Sequence, residues 1–152
     1  MPKENVTELR LFLKPYPQKI QDIIFWMREF VWGLYPGCNE LIYDNYNAVA
    51  LGWSTSDKLG DVFCSMAAFK DYTHFGFYRG NEIADPEKKL SGAGNQYRYI
   101  KVAAIKDFPK TYLKKLLKEA YAHSKSRVKT GNQDIKGATI VKSISAKKKR
   151  PV

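Results

Sequence analysis

VFCSMAAFKDYTHFGFYRGNEIADPEKKLSGAGNQYRYIKV, residues Val62 to Val102, decides the fold class. Three short runs rich in β-branched and aromatic residues are separated by polar, Gly-containing breaks, the pattern of an antiparallel meander. In the first run Val62, Cys64, Met66 and Ala68 alternate with Phe63, Ser65, Ala67 and Phe69. Residues Lys70 to Thr73 turn the chain. The second run sets Phe75 and Phe77 against His74, Gly76 and Tyr78, and Arg79-Gly80-Asn81 breaks it. After the Asp85-Pro86 loop and the Ser91–Asn95 turn, Tyr97, Tyr99 and Lys101 alternate with Arg98, Ile100 and Val102.

Upstream, residues 41–54 read LIYDNYNAVALGWS. Val49, Leu51 and Trp53 make a bulky face, whereas Ala48, Ala50, Gly52 and Ser54 make a nearly bare one. A bare strand face permits either close approach of a covering helix or a cavity; close approach is the ordinary arrangement and the one expected. Further upstream, Ile20, Ile23, Ile24, Met27, Phe30, Val31 and Leu34 recur at 3.6-residue spacing and predict an amphipathic helix over 17–34. Downstream, Asp107 is placed to cap a second helix, with Pro109 in its first turn and an apolar stripe of Leu113, Leu116, Leu117, Ala120 and Tyr121. Lys110, Lys114, Lys115 and Lys118 fall outside that stripe and read as a solvated face. Beyond residue 131, Thr139, Ile140, Val141 and Ile144 are suited to an edge strand.

The formal net charge of +11 is unevenly spread. Through Ser124 there are 17 basic and 14 acidic residues, but from Lys125 onward 9 basic residues face Asp134 alone. The expected organisation is therefore one domain over 1–124 and a basic, solvent-exposed tail over 125–152. Two cysteines, Cys38 and Cys64, are too few for a disulfide framework and read as reduced, half-buried thiols. No apolar run approaches the roughly 18 residues of a membrane span, and MPKENVTELR lacks the apolar core of a secretory signal, so the expected location is cytoplasmic.

The catalytic motifs run out quickly. Glu119 and His123, four apart on a helix, read as a surface ion pair. Gly92-Ala93-Gly94 precedes a strand rather than opening a helix, so it is a turn and not a phosphate loop. No nucleophile elbow, zinc spacing or cofactor motif is present, and the chain reads as a non-enzymatic binding or accessory domain without a cofactor. The candidate site is a sheet face: His74, Tyr78, Arg79, Arg98 and Lys101 to orient an anionic or aromatic small molecule or a protein partner, with Tyr46, Trp53 and Tyr97 as apolar walls. The alternative partner is nucleic acid, held without sequence preference by Lys142, Lys147, Lys148, Lys149 and Arg150 of the tail. A monomer and a homodimer both fit the sequence.

The order of these elements resembles the YdhG-like family, a domain of unknown function. The resemblance rests on Phe77 and Gly80, the Asp85-Pro86 loop, Gly92 to Gly94, Arg98 and the Tyr112 to Ala122 helix, and covers roughly Pro17 to Ser124. It implies an α+β fold, an antiparallel sheet of four to six strands packed against an N-terminal and a C-terminal helix. It implies little about activity; some relatives are described as iron chaperones, which adds metal delivery as a further alternative.

Overall fold

A computed structural model of the chain describes residues 7–128 and 137–151. Its elements are α1 (Thr7–Leu13), α2 (Gln18–Leu34), β1 (Asn39–Asp44), β2 (Val49–Ser54), β3 (Val62–Ala68), β4 (Thr73–Phe77), β5 (Arg98–Val102), α3 (Lys110–Arg127) and β6 (Thr139–Ile144). The fold class is α+β. Among the described residues six strands form one sheet in the order β5-β4-β3-β2-β1-β6.

The meander reading of the central stretch holds: β2, β3, β4 and β5 pair successively antiparallel. Residues 41–54 are a hairpin, closed by the Asn45 amide donating to the Ala48 carbonyl at 3.0 Å. The sheet is not wholly antiparallel, because β6 runs parallel to β1. A parallel neighbour requires a crossover, and the chain between β1 and β6 includes α3, which supplies the return. The Glu40 amide donates to the Ala138 carbonyl at 2.8 Å and the Gly137 amide to the Gly37 carbonyl at 3.1 Å, which sets where β6 enters.

Helix α3 also starts later than its sequence suggests. Asp107 lies in a short 3-10 turn, Pro109 occupies the N-cap, and no side chain caps the first turn. Proline is tolerated there because its missing N–H has no intrahelical partner to lose.

Burial separates the two sheet faces. Leu51, Met66, Phe75 and Ile100 follow one another across β2 to β5 and share one core with Ile20, Ile24, Met27 and Val31 of α2 and Leu113, Leu116 and Leu117 of α3. Trp53 meets Trp32 edge-on at 6.3 Å, and Phe108 packs within about 5 Å of Trp26, Phe30 and Phe75. Burial of each such side chain is worth about 1.5–3 kcal/mol, so the helices cover the face that has bulk to bury. The expected close approach of the helix to the bare face is overturned for that reason. A bulge between Trp53 and Ser54 places Val62 opposite Ser54 and sends Phe63 to the helix side, between Tyr35 at 5.3 Å and Tyr121 at 5.5 Å.

The basic C-terminal segment is partly built into the body; its residues 129–136 and 152 lie outside those described. Besides β6, Lys148 and Arg150 form ion pairs with buried Asp44, and the Lys149 amide donates to the Tyr46 carbonyl at 2.8 Å. The Arg150 side chain is only 2% exposed, against the expectation of a wholly solvated end. A buried carboxylate on β1 needs counter-charge, and these two cations supply it.

Both cysteines are free and buried. Burial pushes the Cys38 thiol up to about 12 and the Tyr35 phenol, hemmed also by Cys64, Cys38 and Tyr121, up to about 12. The native state thus holds protons that the unfolded chain releases from about pH 9 to 10 upward. Stability should be fully present below that range and fall as pH rises toward 12. Urea midpoints are expected to be unchanged by these groups between pH 7 and 8 and clearly lower at pH 11. An equal midpoint at pH 11 would contradict their burial.

Candidate functional site

The face turned away from α2 and α3 has an unusual composition. Its centre is floored by small residues in register: Ala50 pairs with Ala67, and Gly52 with Ser65, which in turn pairs with Gly76. Bulk returns only at the sides. Tyr43, Leu59, Val62 and Tyr78 wall a cavity of about 220 Å³ above Ala50, Gly52 and Ser65. An empty apolar cavity of about 150 Å³ suffices for benzene, so this one has room for a one- or two-ring group. Here Gly52 is tight against Val62, where a Cβ would lie 3.1 Å from a methyl carbon.

On the β5 side an aromatic row lies against the floor. Tyr97 and Tyr99 stack at 5.6 Å, Tyr99 and His74 at 4.0 Å, and His74 continues to Phe69 at 4.9 Å and Tyr72 at 5.4 Å. Lys101 caps the row, its Nζ 4.2 Å from the Tyr72 ring centre. Tyr97 crosses Gly76 toward Ser65: a Cβ on Gly76 would sit 2.5 Å from its hydroxyl. Burial pushes the Tyr97 phenol up to about 12, with a Ser65 hydrogen bond pulling the other way. Burial, and secondarily Lys101, lowers the His74 imidazole below its ordinary value, so it is neutral at pH 7. The Tyr43 phenol is raised by burial and by neighbouring Tyr78, and its hydroxyl has no hydrogen-bond partner among the described residues.

The site residues expected from sequence divide into groups. Tyr78 lines the cavity, and His74, Tyr97 and Lys101 form the adjoining row. Trp53 does not belong to this face; it is fully buried on the helix side, because its parity follows Val49 and Leu51. Tyr46 is exposed in the β1–β2 turn, apart from the cavity lining. Arg98 is tied down by the Gly94 and Tyr97 carbonyls, both 2.8 Å from Nη1. Arg79 turns to the Gly80–Glu82 turn, 3.8 Å from Glu82. The two arginines therefore do not converge on the open face.

Tyr43, Ser65 and Tyr99 were not among the expected site residues. The small-residue alternation at 48–54 was the available signal; Tyr43 joins it only through its pairing with Ala50. Of the tail cations, Lys142 donates to the Asp57 carbonyl at 3.0 Å, and Lys148 and Arg150 are engaged by Asp44, which leaves Lys147 and Lys149 exposed outside these contacts. Glu119 and His123 do approach, Nε2 3.8 Å from Oε2, a contact that is an ion pair only with the imidazole protonated. Among the described residues no group of three or more His, Cys, Asp or Glu is placed to hold a metal ion, and no helix is long and apolar enough to cross a membrane. No family model, curated protein or solved structure matches the chain.

Proposed function

We propose that the chain is a small-molecule binding module, and that the trough on its open sheet face takes a flat aromatic group. The observation that carries this reading is the floor of Ala50, Gly52 and Ser65, uncovered by the helices and walled by Tyr43 and Tyr78. A floor without side chains lets a planar ring lie close to the sheet, and tyrosine walls offer ring contacts with hydroxyl groups at their tips. Arg79 and Arg98, the cations that would have favoured an anion on this face, are held elsewhere. The resemblance to the YdhG-like family implies little about activity and adds nothing to this reading.

The test uses 6-propionyl-2-(dimethylamino)naphthalene, a neutral two-ring dye, with the folded 152-residue chain. Saturable fluorescence enhancement is expected. Ala50→Leu, which adds bulk to the floor beside Tyr43, should weaken it at least about tenfold, equivalent to about 1.4 kcal/mol. The thermal midpoint should change little. Equal dye affinity in wild type and Ala50→Leu would place the dye elsewhere and remove the proposal.

A further inference from the structure

At the end of the sheet where β3 begins, two arginines from distant parts of the chain meet. Arg79 follows β4 and Arg127 ends α3, and both line a cleft floored by Val62, Phe63, Ile83 and Ala120 with His123 at its rim. Their side chains are 30% and 26% exposed, so the cleft opens to solvent. Yet the Nε of each is buried and has no hydrogen-bond partner among the described residues.

Glu82 stands between them, its Oε2 3.8 Å from Arg79 and its Oε1 3.7 Å from Arg127. Those separations are Coulombic contacts, too long for hydrogen bonds. The other acids nearby are committed: Asp61 accepts from the Ser56 hydroxyl at 2.7 Å, and Glu119 from the Ala84 amide at 3.2 Å. Glu82 itself is 40% exposed, so its carboxylate borders solvent.

We propose that Arg79 and Arg127 form an oxyanion site for a phosphate group, with the Glu82 carboxylate as the internal occupant that phosphate displaces. A guanidinium presents a planar edge of N–H groups that matches the oxygens of a phosphate; Arg79 spends one N–H on the Gly60 carbonyl at 3.5 Å, and the N–H groups that remain on the two arginines exceed what one carboxylate satisfies. The cleft itself has a free volume of only about 10 Å³, close to that of one water, and Glu82 is not part of its lining, so the phosphate takes the place of the Glu82 carboxylate on the outer side of the two guanidinium groups rather than entering the cleft. The phosphate is either a free ion or a group carried by an aromatic ligand, because Val62 lines both this cleft and the trough. The charged groups of the site, Arg79, Arg127 and Glu82, do not line the trough, so the site stands whether or not the trough binds a ring.

Calorimetric titration of the full chain with inorganic phosphate and with phenyl phosphate, at constant ionic strength, tests the site. Binding of at least one is expected, weakened about tenfold or more in Arg127→Gln and strengthened several-fold in Glu82→Gln, where no internal carboxylate competes. A preference for phenyl phosphate that Ala50→Leu abolishes identifies the carried group; equal binding of both identifies the free ion. Equal affinities in wild type, Arg127→Gln and Glu82→Gln would overturn the site. So would failure of both ligands to bind wild type and Glu82→Gln, a surface substitution that leaves the fold intact.

Discussion

Replacing Glu40 with alanine is expected to destabilise the protein by about 3–5 kcal/mol, the usual cost of leaving one member of a buried ion pair alone. Arg28 of α2 and Glu40 of β1 are both fully buried and joined in a two-pronged contact, Nε to Oε2 at 2.6 Å and Nη2 to Oε1 at 2.8 Å. Thr139 of β6 donates its hydroxyl to the same Oε1 at 2.8 Å. One carboxylate thus links the helix, the strand beneath it and the parallel strand beside it. Without it, a guanidinium remains in an apolar environment and the edge strand loses a side-chain tie. Urea unfolding measures the effect. The double variant Arg28→Met, Glu40→Leu should recover most of the loss, because replacing both charges with apolar groups of similar size removes the desolvation cost together with the attraction. A loss below about 1 kcal/mol in Glu40→Ala, the range of exposed pairs, would contradict the buried arrangement.

The second large effect is expected at Gly76, where alanine should expel Tyr97 from the open face. The added carbon would lie 2.5–2.6 Å from the Tyr97 hydroxyl and two of its ring carbons. The obstacle is the far end of a side chain, so the ring moves and the strand pairing with Ser65 and Tyr99 survives. Tyr97 then gives up its burial, its Ser65 hydrogen bond and its stacking on Tyr99. The expected cost is about 1–3 kcal/mol. Alkaline titration of tyrosinate absorbance reads the displacement directly: the Tyr97 phenol, pushed up to about 12 by burial, should fall toward 10 in the variant. In wild type its raised value contributes stability that is fully present below pH 10 and lost as pH rises through 12; the variant should lose less over that interval. An unchanged titration would show that Tyr97 does not depend on the bare glycine.

Much of this architecture is written in alternation. The β3, β4 and β5 runs declare themselves because bulky and small residues exchange faces at every step, which only an extended chain can use. The 3.6-residue spacing of Ile20, Ile24, Met27 and Val31 does the same for α2. Two local features escaped that logic. The bulge beside Trp53 shifts parity by one residue and carries Phe63 to the helix side. The β6 strand pairs parallel with β1, and no local pattern in six residues records the direction in which a strand will be met.

The candidate site depended still more on contacts between distant residues. His74, Tyr78, Tyr97 and Lys101 were legible as a polar-aromatic set, since they share parity on neighbouring strands. Arg79 and Arg98 have the opposite parity, and carbonyls and Glu82 at the sheet end hold them away from the trough. The basic segment reads as a free tail because a sequence shows charges without partners; Asp44, more than a hundred positions earlier, turns Lys148 and Arg150 inward.

By itself, then, the sequence determined the α+β class, the central meander and the existence of one bare strand face, because side-chain periodicity is a local property of the backbone. Only the tertiary structure decided that the helices take the bulky face and leave the bare one open. It alone brought Arg79 to Arg127 and Asp44 to Arg150. Those outcomes depend on which burial and charge pairing lowers the free energy of the whole chain, a comparison no single segment contains.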